Sequence, residues 1–158
     1  MYDFVVDSMF GKLSKWLRVL GYSTFYSPST PDSKLIEIAR ANNALLITRD
    51  RELYAKAMSK GVNTLLIEST DLIETLSLLH RKFNIRLHID FKLTRCSKCN
   101  AKLLQCNKEM IRDRVPESVL KRYDIFLVCP NCNSVYWPGK HYKNMLSILN
   151  LIKEQELD

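Results

Sequence analysis

Three short apolar runs in the first half of the sequence lead into carboxylates. Phe4-Val5-Val6 precedes Asp7, Ala44-Leu45-Leu46-Ile47 runs toward Asp50, and Leu65-Leu66-Ile67 precedes Glu68. Runs of this length suit buried strands and are too short for helices. In open α/β sheets the working groups collect at the carboxyl ends of strands. If the three runs are parallel neighbours, Asp7, Asp50 and Glu68 project from one edge of a sheet. Asp32, in the first turn of an intervening helix, reaches the same edge. Crowded carboxylates repel one another unless a cation sits among them, and Mg²⁺ or Mn²⁺ is the usual solution. A site of this kind activates water and stabilises charge developing on a phosphate during in-line displacement.

Each acid also has a purely structural reading. Asp50 is placed to cap a helix beginning at Arg51. Asp32 falls where the helix dipole favours an acid. Asp71, with Glu74 three residues on, resembles a capping box, and Glu68 can simply face solvent. Asp7 stands apart, because the helical pattern after it begins several residues later. Lys12, Arg49 and Arg51 lie near these acids in sequence. They suit contacts to substrate phosphates, or they balance the acids of the free site.

The second half carries Cys96-x-x-Cys99 and Cys129-x-x-Cys132, with Cys106 left over. In a reducing compartment such pairs are more often metal sites than disulfides. Two thiolate knuckles make a tetrahedral set for Zn²⁺, and four protein ligands leave no open position, so the zinc reads as structural. The 29 residues between the knuckles exceed the roughly 15–20 of common ribbons. An inserted helix around residues 116–120 accounts for the excess. Beyond the knuckles, Tyr136-Trp137-Pro138-Gly139-Lys140-His141-Tyr142-Lys143 mixes aromatics with cations. Such a stretch, His141 included, can stack on bases and meet phosphates, or it can pack within the protein.

The elements that must position these residues alternate. A helix is expected over 11–20, where positions 13, 16, 17 and 20 share an apolar face and Gly21 suits the cap. A short strand follows at 22–26. A second helix starts behind a Thr30 cap with Pro31 at its first position and ends near Asn42-Asn43. Then come a strand at 44–48, a helix over 52–60, a strand at 64–67 and a helix over 72–83. Residues 86–89 alternate like an edge strand. Strand–helix alternation argues for an α/β class with a mainly parallel sheet flanked by helices. The pattern changes near Phe91, so a boundary is expected at residue 92. Residues 93–158 would form a small ribbon with a tail helix from about 141 to 154.

At 158 residues the chain can bury a proper core. No apolar run approaches the ~20 residues needed to span a bilayer, and the N-terminus lacks signal-peptide character, so a cytoplasmic protein with no membrane partner is expected. The net charge is +7, with +2 in residues 1–90 and +5 in residues 91–158. A basic second half fits a polyanion such as nucleic acid, or merely a solvated surface.

The run from Phe4 to Tyr22, FVVDSMFGKLSKWLRVLGY, resembles the opening signature of the Mut-seven C-terminal RNase family, a branch of PIN-like nucleases with an appended zinc ribbon. The similarity continues through Asp32-Ser33-Lys34-Leu35-Ile36-Glu37-Ile38-Ala39 and Leu45-Leu46-Ile47-Thr48-Arg49-Asp50-Arg51. It resumes at the Cys pairs and at Tyr136 to Tyr142. The resemblance implies a PIN-like fold, strand-end acids that hold Mg²⁺ or Mn²⁺, and cleavage of RNA. Asp7, Asp32 and Asp50 match the acids by position, while Glu37, Glu68 and Asp71 compete for a fourth. The alternatives are a non-catalytic RNA-binding module, a metal-dependent phosphoesterase acting on DNA or small phosphates, and an interaction module under a regulatory protein partner. The oligomeric state is not legible in the sequence.

Overall fold

The computed structural model describes residues 1–158. Four strands, β1 (Phe4–Val6), β2 (Thr24–Tyr26), β3 (Leu45–Thr48) and β4 (Thr64–Leu66), pair in parallel in the order β2-β1-β3-β4. The intervening helices are α1 (Gly11–Val19), α2 (Asp32–Asn42), α3 (Arg51–Ser59) and α4 (Leu72–Phe83). Successive strand residues point to opposite faces, and the core divides accordingly. Val5 and Leu46 meet Leu35, Ile36, Leu53 and Ala57 from α2 and α3. Phe4, Val6 and Ile47 meet Leu13, Leu17 and Leu76 from α1 and α4. Burial of each large apolar side chain contributes about 1.5–3 kcal/mol.

Helix ends follow local chemistry. Gly21, at φ +92, closes α1: its N–H donates to the Arg18 carbonyl and that of Tyr22 to the Leu17 carbonyl, both at 2.9 Å. This double bond pattern needs a left-handed residue after the cap, which glycine adopts at little cost. Asn43 and Asn84 take the same conformation after α2 and α4. Asp50 and Asp71 cap α3 and α4 through their side chains. Two expectations change. Helix α2 begins at Asp32 with no side-chain cap, so Thr30 does not play that part. Residues 86–89 form no strand: Ile85 and Leu87 alternate into the core, but the Arg86 N–H donates to the Tyr22 hydroxyl at 2.9 Å instead of to a neighbouring strand.

Past residue 92 a second sheet forms from β5 (Leu104–Gln105), β6 (Leu127–Val128) and β7 (Val135–Tyr136), antiparallel in that order. The insert between the Cys pairs holds a 3-10 segment, Lys108–Arg114, and helix α5 (Glu117–Arg122). Its Ile111 and Val115 are buried with Phe126 in a small core of their own. The last helix, α6 (Lys140–Leu157), returns to the first unit. Met145, Leu149 and Ile152, spaced for one helical face, join the core built by α1 and α4. The tail helix, grouped with the ribbon on sequence, thus packs on the parallel sheet's layer.

The ribbon also closes one edge of that sheet. Strand β2 is one of the two outer strands, and an exposed edge invites pairing with other chains. The Thr24 N–H donates to Asn100 Oδ1 at 2.8 Å, and the Thr24 carbonyl accepts from Arg18 Nε and Nη2 at 3.1 and 2.9 Å. Arg18 Nη1 reaches on to the carbonyls of Ser97 and Lys98 at 3.0 and 3.3 Å. Arg18, a residue only 5% exposed, therefore joins α1, β2 and the first knuckle through its guanidinium. Replacing Arg18 with Met strands these carbonyls, at about 1–3 kcal/mol for each one left buried and unpaired. We expect Arg18→Met to lose about 3 kcal/mol or more in urea unfolding. Arg18→Lys should recover little, because an ammonium lacks the fork that spans several acceptors. Wild-type stability in Arg18→Met would refute this account of the junction.

Candidate active site and thiolate centre

The strand order reverses direction at β1 and β3, since β2 lies to one side of β1 and β3 with β4 to the other. Clefts in open α/β sheets form at such switch points, beyond the carboxyl ends of the strands. Asp7 and Asp50 stand there. Val6 pairs with Ile47, so the next residues, Asp7 and Thr48, face each other across the end of the ladder. The Thr48 hydroxyl donates to Asp7 Oδ2, and its oxygen accepts from the Asp50 N–H at 2.9 Å. A single buried threonine thereby links the two acids. The sequence contains Thr48 in plain view but offers no signal for this role, which exists only because β1 and β3 are neighbours.

Asp7 is 5% exposed. Contrary to expectation it also caps, accepting from the Met9 N–H at 2.9 Å to start a 3-10 turn over Ser8–Phe10. That turn is too short to appear as helical periodicity. Asp50 is exposed and accepts from the N–H groups of Glu52 and Leu53 at 2.7 and 3.1 Å, both through Oδ1. Asp32 sits half-buried in the first turn of α2 and makes no side-chain hydrogen bond. None of the three is in a salt bridge. Glu68, by contrast, pairs with Arg51 at 2.5 Å, and Glu37 with Lys34 at 2.9 Å, while Asp71 caps α4. Arg49 is held in place: its Nε donates to the Ser69 carbonyl at 3.2 Å and its guanidinium lies 4.6 Å from the Phe10 ring centre. Lys12 is the second residue of α1, just past the Gly11 that follows the Asp7-capped turn, and lines a cleft with His141 of α6.

The four cysteines converge as a set. Their sulfurs all lie within 4.8 Å of one another, with Cys96–Cys132 at 3.5 Å and Cys99–Cys129 at 3.4 Å. Zinc–sulfur bonds of about 2.3 Å in a tetrahedron place sulfurs about 3.8 Å apart, so the donor set fits a structural Zn²⁺. No other group of three or more His, Cys, Asp or Glu converges this tightly, and the strand-end acids share their edge without doing so. The two knuckles are built alike. Cys96 N–H donates to Ala101 O and Asn100 N–H to Cys96 O; Cys129 and Asn133 repeat the pattern with Ser134. Asn100 and Asn133 are both left-handed, which asparagine tolerates better than most residues. Cys106 lies apart, with its Sγ 3.7 Å from the Phe126 carbonyl and its thiol pushed up by burial.

Hydrogen bonds and burial pull these thiols in opposite directions. The Ser134 hydroxyl and N–H bring Cys132 down to about 6. Burial drives Cys129 up to about 12. For Cys99, burial pushes upward but bonds from Asn131 and Ala101 outweigh it, leaving it below its ordinary value. Tyr136, missed as a partner of this centre on sequence, places its hydroxyl 3.1 Å from Cys96 Sγ. Burial and that sulfur push the phenol up to about 12, so it remains a donor. Burial lowers Arg18 as well, against the opposing pull of the Cys96 and Cys99 sulfurs.

A parallel four-stranded sheet flanked by helices, with unpaired acids at its switch point and a four-cysteine ribbon against one edge, defines a mixed α/β protein with a thiolate metal centre. Over residues 2–149 the sequence matches the family model described as the Mut7-C RNAse domain, and the chain belongs to that family. Membership points to nuclease-like chemistry on RNA. No curated protein and no solved structure matches the chain. No helix is long and apolar enough to cross a membrane.

Proposed function

We propose that the protein is a Mg²⁺- or Mn²⁺-dependent ribonuclease that hydrolyses RNA phosphodiester bonds at the carboxyl edge of its parallel sheet. The observation that carries this reading is the absence of any salt bridge to Asp7, Asp32 or Asp50 where Glu37 and Glu68 are both neutralised. Carboxylates left unpaired at one edge are the hard oxygen donors these ions take, and Mg²⁺ needs only one or two of them because it keeps several waters. Asp50 Oδ2 and both oxygens of Asp32 carry no hydrogen bond from the protein. Asp7, Asp32 and Asp50 would hold the ion, which when bound supplies charge stabilisation at the phosphate. Thr48 keeps Asp7 and Asp50 in register. Lys12 and Arg49 give the edge its positive charge for phosphates, Arg51 would join them by exchanging Glu68 for a phosphate, and the ribbon, with His141 beyond it, extends the RNA path. A division at residue 92, with the acids before it and the zinc centre after it, and a cytoplasmic setting that keeps the thiols reduced, belong to the same reading.

The caps made by Asp7 and Asp50 favour one competitor, a non-catalytic RNA-binding module in which these acids only start turns. Purified, zinc-loaded protein tests both on a panel of RNA, single-stranded DNA and nucleotides. Divalent metal should be omitted in the control lanes rather than chelated, since a chelator would also strip the ribbon. We expect cutting of RNA only with Mg²⁺ or Mn²⁺ added. RNA retained but uncut in every lane would transfer the reading to the binding module. Preferential cutting of DNA or nucleotides would overturn the substrate class.

A further inference from the structure

Along α1 the strand-end acids give way to a cavity of about 680 Å³ lined by α1, the ribbon and the start of α6. Its size lies within the roughly 300–1,000 Å³ of ligand sites. Lys12, Lys15, Trp16 and Val19, spaced three and four apart on α1, form one wall. Lys140 and His141 from the start of α6 and Arg95 from the ribbon line the same cavity. No Asp or Glu lines the cavity. Four fixed cations around one concavity repel one another in the free protein, and a polyanion relieves that repulsion.

Between the cations lie aromatic rings. Both tryptophans of the chain, Trp16 and Trp137, line the cavity, as do Phe91, Tyr136 and Tyr142. Trp16 is part of the core, but the other four are only half-buried. Phe91 and Tyr142 lean together with ring centres 5.3 Å apart. The Trp137 indole folds so close to Gly139 that a Cβ there would sit 2.8 Å from Nε1. Glycine at this point lets the ring lie beside the start of α6. Cations that meet phosphates, beside aromatics on which bases stack, are the components of a single-strand site. Lys12, in the first turn of α1 just past the turn that Asp7 caps, is among the lining residues and links the cleft to the strand-end acids.

We propose that this cleft binds a single-stranded segment of RNA flanking the cleaved bond, with phosphates on Lys12, Lys15 and Lys140 and bases against Tyr136, Trp137 and Tyr142. The inference rests on the ribonuclease reading for the strand that enters it. Duplex RNA is a poor occupant, because stacked and paired bases do not offer their faces to aromatic side chains.

Intrinsic fluorescence reads the site directly, since both tryptophans line it. The experiment titrates zinc-loaded protein with a short unstructured RNA and with the same RNA annealed to its complement, without added divalent metal. Anisotropy of an end label is followed in parallel with tryptophan emission. We expect the single strand to quench emission as it binds and the duplex to do neither at the same concentrations. Lys15 and Lys140 are exposed, so the double variant Lys15→Ala/Lys140→Ala should fold normally. It should bind at least tenfold more weakly, with a salt slope reduced by about 1.4, at about 0.7 for each single-strand phosphate contact. Unquenched binding, unchanged affinity in the double variant, or equal binding of duplex would each overturn the proposal. The two readings fail separately. RNA cutting that survives the double variant unchanged removes the cleft and leaves the nuclease. Quenched binding by a protein that cuts nothing removes the nuclease and leaves the cleft.

Discussion

Asp50→Asn should leave the fold intact and slow RNA cleavage by about 10²–10³-fold, the loss expected when several kcal/mol of charge stabilisation is removed. The separation of the two effects comes from the cap. Asp50 starts α3 by accepting from Glu52 and Leu53 through one oxygen, and an asparagine carbonyl can accept both bonds, since Asn and Asp are near-equal caps. What asparagine lacks is the negative charge on the second oxygen, which carries no hydrogen bond from the protein. Asp50→Ala, for comparison, should lose about 1 kcal/mol of stability along with the activity. A melting curve and a single-turnover cleavage assay on the three proteins are sufficient. Wild-type cleavage by Asp50→Asn would mean that the acid is a cap and no more. Asp7 is a less clean target, because it also accepts from the Thr48 hydroxyl and the Met9 N–H and an amide cannot serve both oxygens' donors.

The second large effect is removal of metal from the thiolate centre. One zinc per chain is expected by elemental analysis, and stripping it with a strong chelator should unfold the ribbon. Structural zinc contributes about 10–16 kcal/mol to the folding of small domains. The ribbon has little else, since its two small clusters hold four and three buried residues against eighteen in the core of α1, α4 and α6. The parallel sheet should survive and keep most of its helical signal. Its outer strand should not stay protected, however. Asn100 follows the first knuckle directly and is the acceptor for the Thr24 N–H, so loss of the knuckle exposes that amide. Hydrogen exchange should therefore show the ribbon and Thr24 accelerating together while Val5 and Leu46 remain slow. A ribbon equally protected with and without metal would refute the structural role of zinc.

Much of the fold was legible because its signals are local. Val5-Val6 and Leu45-Leu46-Ile47 are apolar without alternation, as strands buried on both faces must be. Asp50, Asp71 and Gly21 sit where helix ends need an acceptor or a left-handed residue, and the structure uses them so. The two Cys-x-x-Cys-Asn units predicted matching knuckles, and each asparagine takes the left-handed turn that closes one. Where the reading went astray, the signal was ambiguous. Alternation at residues 86–89 reflected burial of Ile85 and Leu87 but not pairing, because alternation records which side chains face a core and says nothing of a partner strand.

By itself the sequence determined the first four strands and the helices after them, the acids at the strand ends and the two thiolate knuckles. Each depends on backbone geometry within a turn or two of chain. Only the tertiary structure decided that Thr48 joins Asp7 to Asp50, that α6 leaves the ribbon for the core of α1 and α4, and that Arg18 seals β2 against the first knuckle. It alone brought Lys12 and Lys15 into one cleft with Lys140 and His141. The physical reason is common to all of these. Capping and periodicity are written in spacings along the chain, whereas a contact between distant segments is fixed by which surfaces bury best together, and no local spacing encodes that choice.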